Sequence, residues 1–185
     1  MPVQIGVKAH GFKEPLELLS DCHRRIEMFL GILEAIAKCV DRAPSEEARR
    51  ALDSALRYFR EAAPKHTADE EESLFPRLRQ VRSTSVEHAL SKIDELEKEH
   101  HWAETLHKEV DDLGRRYLNR DKLSLAEVER FRKAVASLSE MYKHHIGVED
   151  RDLFPAAEKA LPQADKLAIA EEMANRRSVS LAGNP

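Results

Sequence analysis

At 185 residues the chain suits a single domain with a sizeable core. Charged residues make up 35% and aromatics only 5%, a balance that favours helices over a sheet sandwich. The net charge of −4 supplies no basic footprint and argues against nucleic acid as a partner. No secretory apolar region follows MPVQIG, and the most apolar run, MFLGILEAIA, is short and interrupted by Glu34. With no membrane span and two cysteines, Cys22 and Cys39, the expectation is a cytoplasmic protein with reduced thiols.

The leader 1–14, MPVQIGVKAHGFKE, lacks periodicity and reads as an irregular arm. Pro15 suits a first helical position. From there Leu16, Leu19, His23, Ile26, Leu30, Leu33 and Ala37 recur at three- and four-residue spacing, marking one helical face. DRAPS breaks that helix, and Ser45 is placed to cap the next. The second helix turns Leu52, Ala55, Phe59, Ala62 and His66 inward, and Pro64 within it predicts a kink or bulge near His66. RSTS is the following break, with Ser85 as cap. A third helix over about 86–117 carries Leu90, Ile93, Leu96, His100, Ala103, His107, Val110 and Tyr117 on one face. Ser124-Leu-Ala-Glu127 is a capping box that opens the fourth helix, whose inward face reads Val128, Phe131, Val135, Leu138, Met141 or Tyr142, His145 and Glu149. Pro155 and Pro162 punctuate short helical pieces, AIAEEMANRR forms a last small helix, and a polar tail follows Asn175.

Short breaks between long helices make neighbours antiparallel, so the expected fold is an all-α, up-down-up-down four-helix bundle over 15–160. Residues 161–185 form a short helix and tail. A motif is repeated within the bundle: HTADEEESLFP begins at His66 and HIGVEDRDLFP at His145, both fitting H-x-x-x-E-x-x-x-L-F-P. Counted from the breaks, His23 and His66 lie roughly 20 and 23 residues from the first, His66 and His100 roughly 17 from the second, and His100 and His145 roughly 21 and 24 from the third. Four histidines, one per helix, therefore share one level of the bundle. Without compensation such a polar layer in a core is expensive. Glu70 and Glu149 follow His66 and His145 by four residues, about 40° round the same face, and Glu104 and Glu27 stand so to His100 and His23. Imidazoles and carboxylates without thiolates suit one or two transition metals, iron or manganese before zinc. In the repeat, His and Glu face the metal, Leu-Phe closes the bundle above it and Pro stops the helix. Glu71, Glu72, Arg151 and Asp152 read as solvated, with hydrogen bonding behind the ligands as their other use.

One histidine in helix one, H-x-x-x-E in helix two, E-H in helix three and H-x-x-x-E in helix four together resemble the hemerythrin-like proteins with the histidine-histidine-glutamate cation-binding domain, over about residues 15–160. The resemblance implies a non-haem di-iron centre, two irons per chain joined by an oxo or hydroxo bridge, with His23, His66, Glu70, His100, His145 and Glu149 as ligands. Glu104 stands where the oxygen carriers have a second helix-three histidine, and such an extra carboxylate would tilt the centre toward redox chemistry or sensing. Asp150 fits the carriers' H-x-x-x-x-D spacing, but lies about 140° from His145 where Glu149 lies about 40°; a bulge near Gly147 would reverse that choice. His107, two turns below His100, reads as core packing, a supporting bond or an added ligand. Tyr142, one turn before His145, reads as core or as a phenol near a ferric ion. His101, His144, His10 and His88 are expected outside, and Trp102 at the rim or on a partner surface. The implied ligands are oxygen, nitric oxide, iron itself or peroxide, giving a binding or sensing module or, alternatively, a peroxide-decomposing enzyme. A metal-free structural bundle is disfavoured. A protein partner would be needed for sensing.

Overall fold

The computed structural model describes residues 11–82 and 86–179. His10 and most of the leader, the Ser85 cap and the end of the polar tail lie outside these residues. Among the described residues every regular element is helical, and no helix is long and apolar enough to cross a membrane.

Four rods form the bundle. The first is α1, Pro15–Ala37. The second is composite: α2, Glu46–Glu61, then α3, Ala63–Ala68, a π-helical turn at Asp69–Leu74, and α4, Phe75–Leu78. The third is α5, Glu87–Arg120, and the fourth is α6, Leu125–Val148, which runs through a second π-helical turn, Glu149–Leu153, into α7, Phe154–Ala160. Neighbours in the chain pack as neighbours in space, and the ring closes through α1 against α6. The rod ends follow from local chemistry. Ser45 accepts the Ala48 N–H at 3.1 Å, and Ser124 and Glu127 form the reciprocal capping box. Asp121 closes α5 in the left-handed conformation at φ 61°.

Pro64 separates α2 from α3, with Ala62 distorted between them. Pro76 and Pro155 act differently from the expected helix stops. Each begins a short α-helical continuation, and the turn before it widens instead. The Phe75 N–H donates to the Glu70 carbonyl and the Phe154 N–H to the Glu149 carbonyl, both five residues back. A proline ring clashes with the carbonyl four residues before it, and an i+5 turn relieves that clash without ending the rod.

The core is in two apolar parts. One, around Leu33, Leu52, Phe131 and Leu138, fills the end nearest the α1–α2 break. The other, around Leu19, Phe75, Ile93 and Leu153, fills the opposite end. There α8, Gln163–Arg176, lays Ile169 and Met173 across the bundle. Between the two lies a layer of buried polar side chains.

Candidate metal centre

The polar layer consists of His23 from α1, His66 from α3, Glu70 from the first π-turn, His100 from α5, His145 from α6 and Glu149 from the second π-turn, all buried. Each helix contributes at the level that the counts from the breaks predict. Glu70 and Glu149 are fully buried and each lies among imidazoles. Glu70 stands 3.2 Å from His66 Nε2, 3.4 Å from His100 Nε2 and 3.9 Å from His23 Nε2. Glu149 stands 3.1 Å from His23 Nε2 and 3.3 Å from His145 Nε2.

The far nitrogens of three rings are tied back. His23 Nδ1 donates to Asp150 at 2.9 Å, His100 Nδ1 to Glu71 at 2.8 Å and His145 Nδ1 to Glu99 at 2.8 Å. A carboxylate on Nδ1 fixes the tautomer and turns the Nε2 lone pair inward, the arrangement found behind metal-ligating histidines. Ser20 and Arg24 hold Asp150 in turn. Two phenylalanines of the repeat then pin the rings: Phe154 stacks on His23 with centroids 5.3 Å apart, and Phe75 lies parallel to His100 at 6.3 Å.

Burial opposes charge on these imidazoles, but the carboxylates around them prevail on three. The hydrogen bond to Asp150 and the nearness of Glu149 and Glu70 push His23 up to about 11, and the nearness of Glu70 with the bond to Glu71 pushes His100 up to about 10. Glu149 and Glu99 push His145 up to about 9, whereas burial takes His66 down to about 4. Burial would raise both glutamates, yet the imidazoles around them hold Glu70 well below, and Glu149 below, the usual carboxylate range. The layer is thus a place for positive charge enclosed by anionic oxygen.

Whether a metal ion fits can be judged from the polar atoms. Both oxygens of Glu70, both oxygens of Glu149, His23 Nε2 and His66 Nδ1 are buried without a hydrogen-bond partner. Buried polar atoms are seldom left so. His100 Nε2 and His145 Nε2 face one another at 3.0 Å while their Nδ1 atoms are engaged with carboxylates. Two lone pairs in that position need a shared cation, a proton or a metal. The donor atoms form two overlapping sets, His23-His66-Glu70-Glu149 and Glu70-His100-His145-Glu149. Both glutamates belong to both sets. The residues fit metal binding.

Glu104 corrects the sequence reading. Its side chain is exposed and pairs with Lys108 across one turn of α5. The buried face of α5 steps from Leu96 to His100 to Ala103, so a residue four after His100 has already rotated into solvent. The layer therefore has two central carboxylates, and the argument for a redox tilt from a third falls away. Asp150 is a hydrogen-bond partner of His23, and Glu27 is exposed beside Arg24. His88, His101 and His144 are exposed, and so is Trp102. Glu71 is more than a solvated acid, since it holds His100. Cys22 is buried with Arg25 on its sulfur, and both thiols are free.

The partner of Glu99, read only as the first member of the helix-three E-H pair, and the place of Asp69 escaped the sequence reading. Glu99 precedes His100 yet serves His145 on the neighbouring rod, a relation visible only once α5 and α6 are docked. Asp69 is fully buried beside Glu70, and Arg176 and Arg177 of the α8 end reach it at 3.0 and 2.6 Å. No spacing rule links positions so distant in the chain.

Residues 14–166 match the family model described as hemerythrin HHE cation binding domain. An uncharacterized protein of Haemophilus influenzae is 27% identical over 169 residues, covering 91% of this chain and 92% of that one. With the layered site and the match over most of its length, the chain belongs to the hemerythrin HHE cation-binding domain family.

Proposed function

We propose that the polar layer holds two iron ions, one in each ligand set, and that the centre binds a small molecule: oxygen, nitric oxide or peroxide. The observation that carries this is the sharing of Glu70 and Glu149 between two sets that each have their own pair of imidazoles. One ion has no use for two such sets, whereas two ions side by side need bridging carboxylates. Nitrogen and carboxylate donors without thiolate favour iron or manganese over zinc. Four imidazole nitrogens and four carboxylate oxygens give eight donors, against roughly twelve positions on two six-coordinate ions. The difference leaves positions for an exogenous ligand. Iron supplies reversible one-electron chemistry there. The chain supplies orientation: Asp150, Glu71 and Glu99 set three rings, and the apolar clusters above and below keep bulk water from the layer. The open positions serve a binding or sensing role directly, and they serve turnover of peroxide if the bound molecule is consumed.

Protein reconstituted anaerobically with ferrous iron should carry about two irons per chain and, on oxidation, show near-ultraviolet ligand-to-metal absorption. A single iron per chain, or exclusive retention of zinc from a mixed-metal solution, would overturn the assignment.

A further inference from the structure

One polar pair between α5 and α6, the half-buried His107 and the buried Tyr142, has no part in the metal centre. His107 lies two turns along α5 from His100, and its Nε2 shares a 2.9 Å hydrogen bond with the Tyr142 hydroxyl of α6. Its ring stacks on Phe59 of α2 at 4.4 Å, and its Nδ1 is buried without a partner. The pair stands at the inner wall of a cleft of about 1070 Å³ that opens between α2–α3 and α5. The same cleft reaches His100 and Glu71, so it joins the surface to the edge of the polar layer. Tyr142 bridges the two regions from within, its ring 6.3 Å from that of His145.

We propose that this cleft admits a small uncharged hydroxylic molecule, hydrogen peroxide foremost, to the metal layer, and that His107 and Tyr142 are the positioning residues that hydrogen-bond it on the way. The proposal rests on the two-iron reading. Three observations select the chemistry. The rim is acidic: Arg60, Lys108 and Arg130 are each already paired, with Asp111, Glu104 and Glu109, Glu97 is held by Arg79, and Asp112 adds a further acid to the same opening. Such a rim disfavours anions. The walls inside are apolar, formed by Leu56, Phe59, Ala63 and Val110, and a hydrated cation would lose its shell there. What remains at the inner wall is a neutral imidazole, kept so by burial, with one nitrogen free. A free ring nitrogen beside a phenol offers a donor and an acceptor together, the complement of an H–O–O–H group and more than a diatomic gas can use.

The test has two arms. In full-length zinc-loaded protein with ¹⁵N-labelled histidine, where iron chemistry is absent, titration with hydrogen peroxide should shift the His107 ring nitrogens saturably. Those of the exposed His88 and His101 should stay in place. In iron-loaded protein, the peroxide concentration that half-saturates the change in near-ultraviolet absorption should rise about three- to tenfold in His107→Phe, the worth of one hydrogen bond. His107→Gln, which can still bond Tyr142, should return it toward the parent value. Thr105→Trp, a bulky change at the exposed mouth, should slow the onset of that absorption change. An unshifted His107, or a half-saturation indifferent to His107→Phe, overturns the proposal while leaving a protein with two irons intact as such. Conversely, a shifted His107 in a chain that takes up no iron would sink the two-iron reading and leave the cleft assignment standing.

Discussion

Three of the four imidazoles of the polar layer have separate duties for their two nitrogens, and the carboxylates divide in the same way. Asp150, Glu71 and Glu99 grip from outside, while Glu70 and Glu149 stand inside between the rings. That division predicts unequal consequences of single substitutions. Glu70→Ala removes a shared ligand and should abolish binding of both irons, whereas His100→Ala damages one set only and should leave about one iron per chain. Metal analysis of the two purified variants checks this. Equal loss in both would mean that the sets are not paired as drawn. Of the seven ligands read from the sequence, six meet in the layer because histidine level and i+4 spacing are one-helix properties. Glu104 fails because i+4 carries a fixed rotation of about 40°, and where that rotation ends depends on how close the reference residue already is to the edge of the buried face. His100 is at that edge, 9% exposed, whereas His145 is 2% exposed. Glu99 was illegible for the opposite reason, as its partner lies on another rod.

The rods that present Glu70 and Glu149 are built alike. In each, an α-helix widens into a π-turn at the glutamate and then returns to α-geometry through a proline. The repeated L-F-P was visible in the sequence, and the burial of Leu74, Phe75, Leu153 and Phe154 follows from it. The widening was not, because a proline in a pattern announces a disturbed turn without saying whether the helix ends or stretches. A π-turn is an α-helix holding one extra residue, commonly at functional positions. Removing a residue from the solvent side should therefore be tolerated by the rod but not by the site. Deleting Glu72, an exposed partner of Arg176, draws the turn toward i+4 spacing, where the Pro76 ring meets the preceding carbonyl and bends the rod without ending it, and leaves Leu74 and Phe75 on the apolar side. The variant should keep its helical circular dichroism and lose at least about tenfold in iron affinity, as when the support of a ligand is disturbed. Collapse of the helical signal would show instead that the π-turn is needed for folding.

Across the whole molecule, the polar layer divides what would otherwise be one continuous core, and four rods contribute to it. A buried layer of four imidazoles and two carboxylates adds little to stability by itself, since desolvation offsets much of the attraction between opposite charges. Bound cations change that by linking rods in the folded state alone, each ligand set spanning three of the four and the two sets together all four. With free metal about a thousandfold above Kd, one ion stabilises the fold by about 4 kcal/mol. For a chain of this size each kcal/mol raises Tm by about 2–4 °C, so iron-loaded protein should melt at least about 8 °C above the chelated form. A substitution remote from the layer separates this effect from general packing. Leu138 is fully buried in the apolar cluster toward the α1–α2 break, and Leu138→Ala should cost about 2–5 kcal/mol in either form. Because the two perturbations lie in different parts of the bundle they should add, keeping the gap between loaded and chelated melting temperatures nearly constant. A gap that vanishes in the parent protein would mean that the rods hold the layer together without a cation. A gap that vanishes only in Leu138→Ala would mean that metal and apolar core stabilise the same packing and cannot be treated as separate contributions.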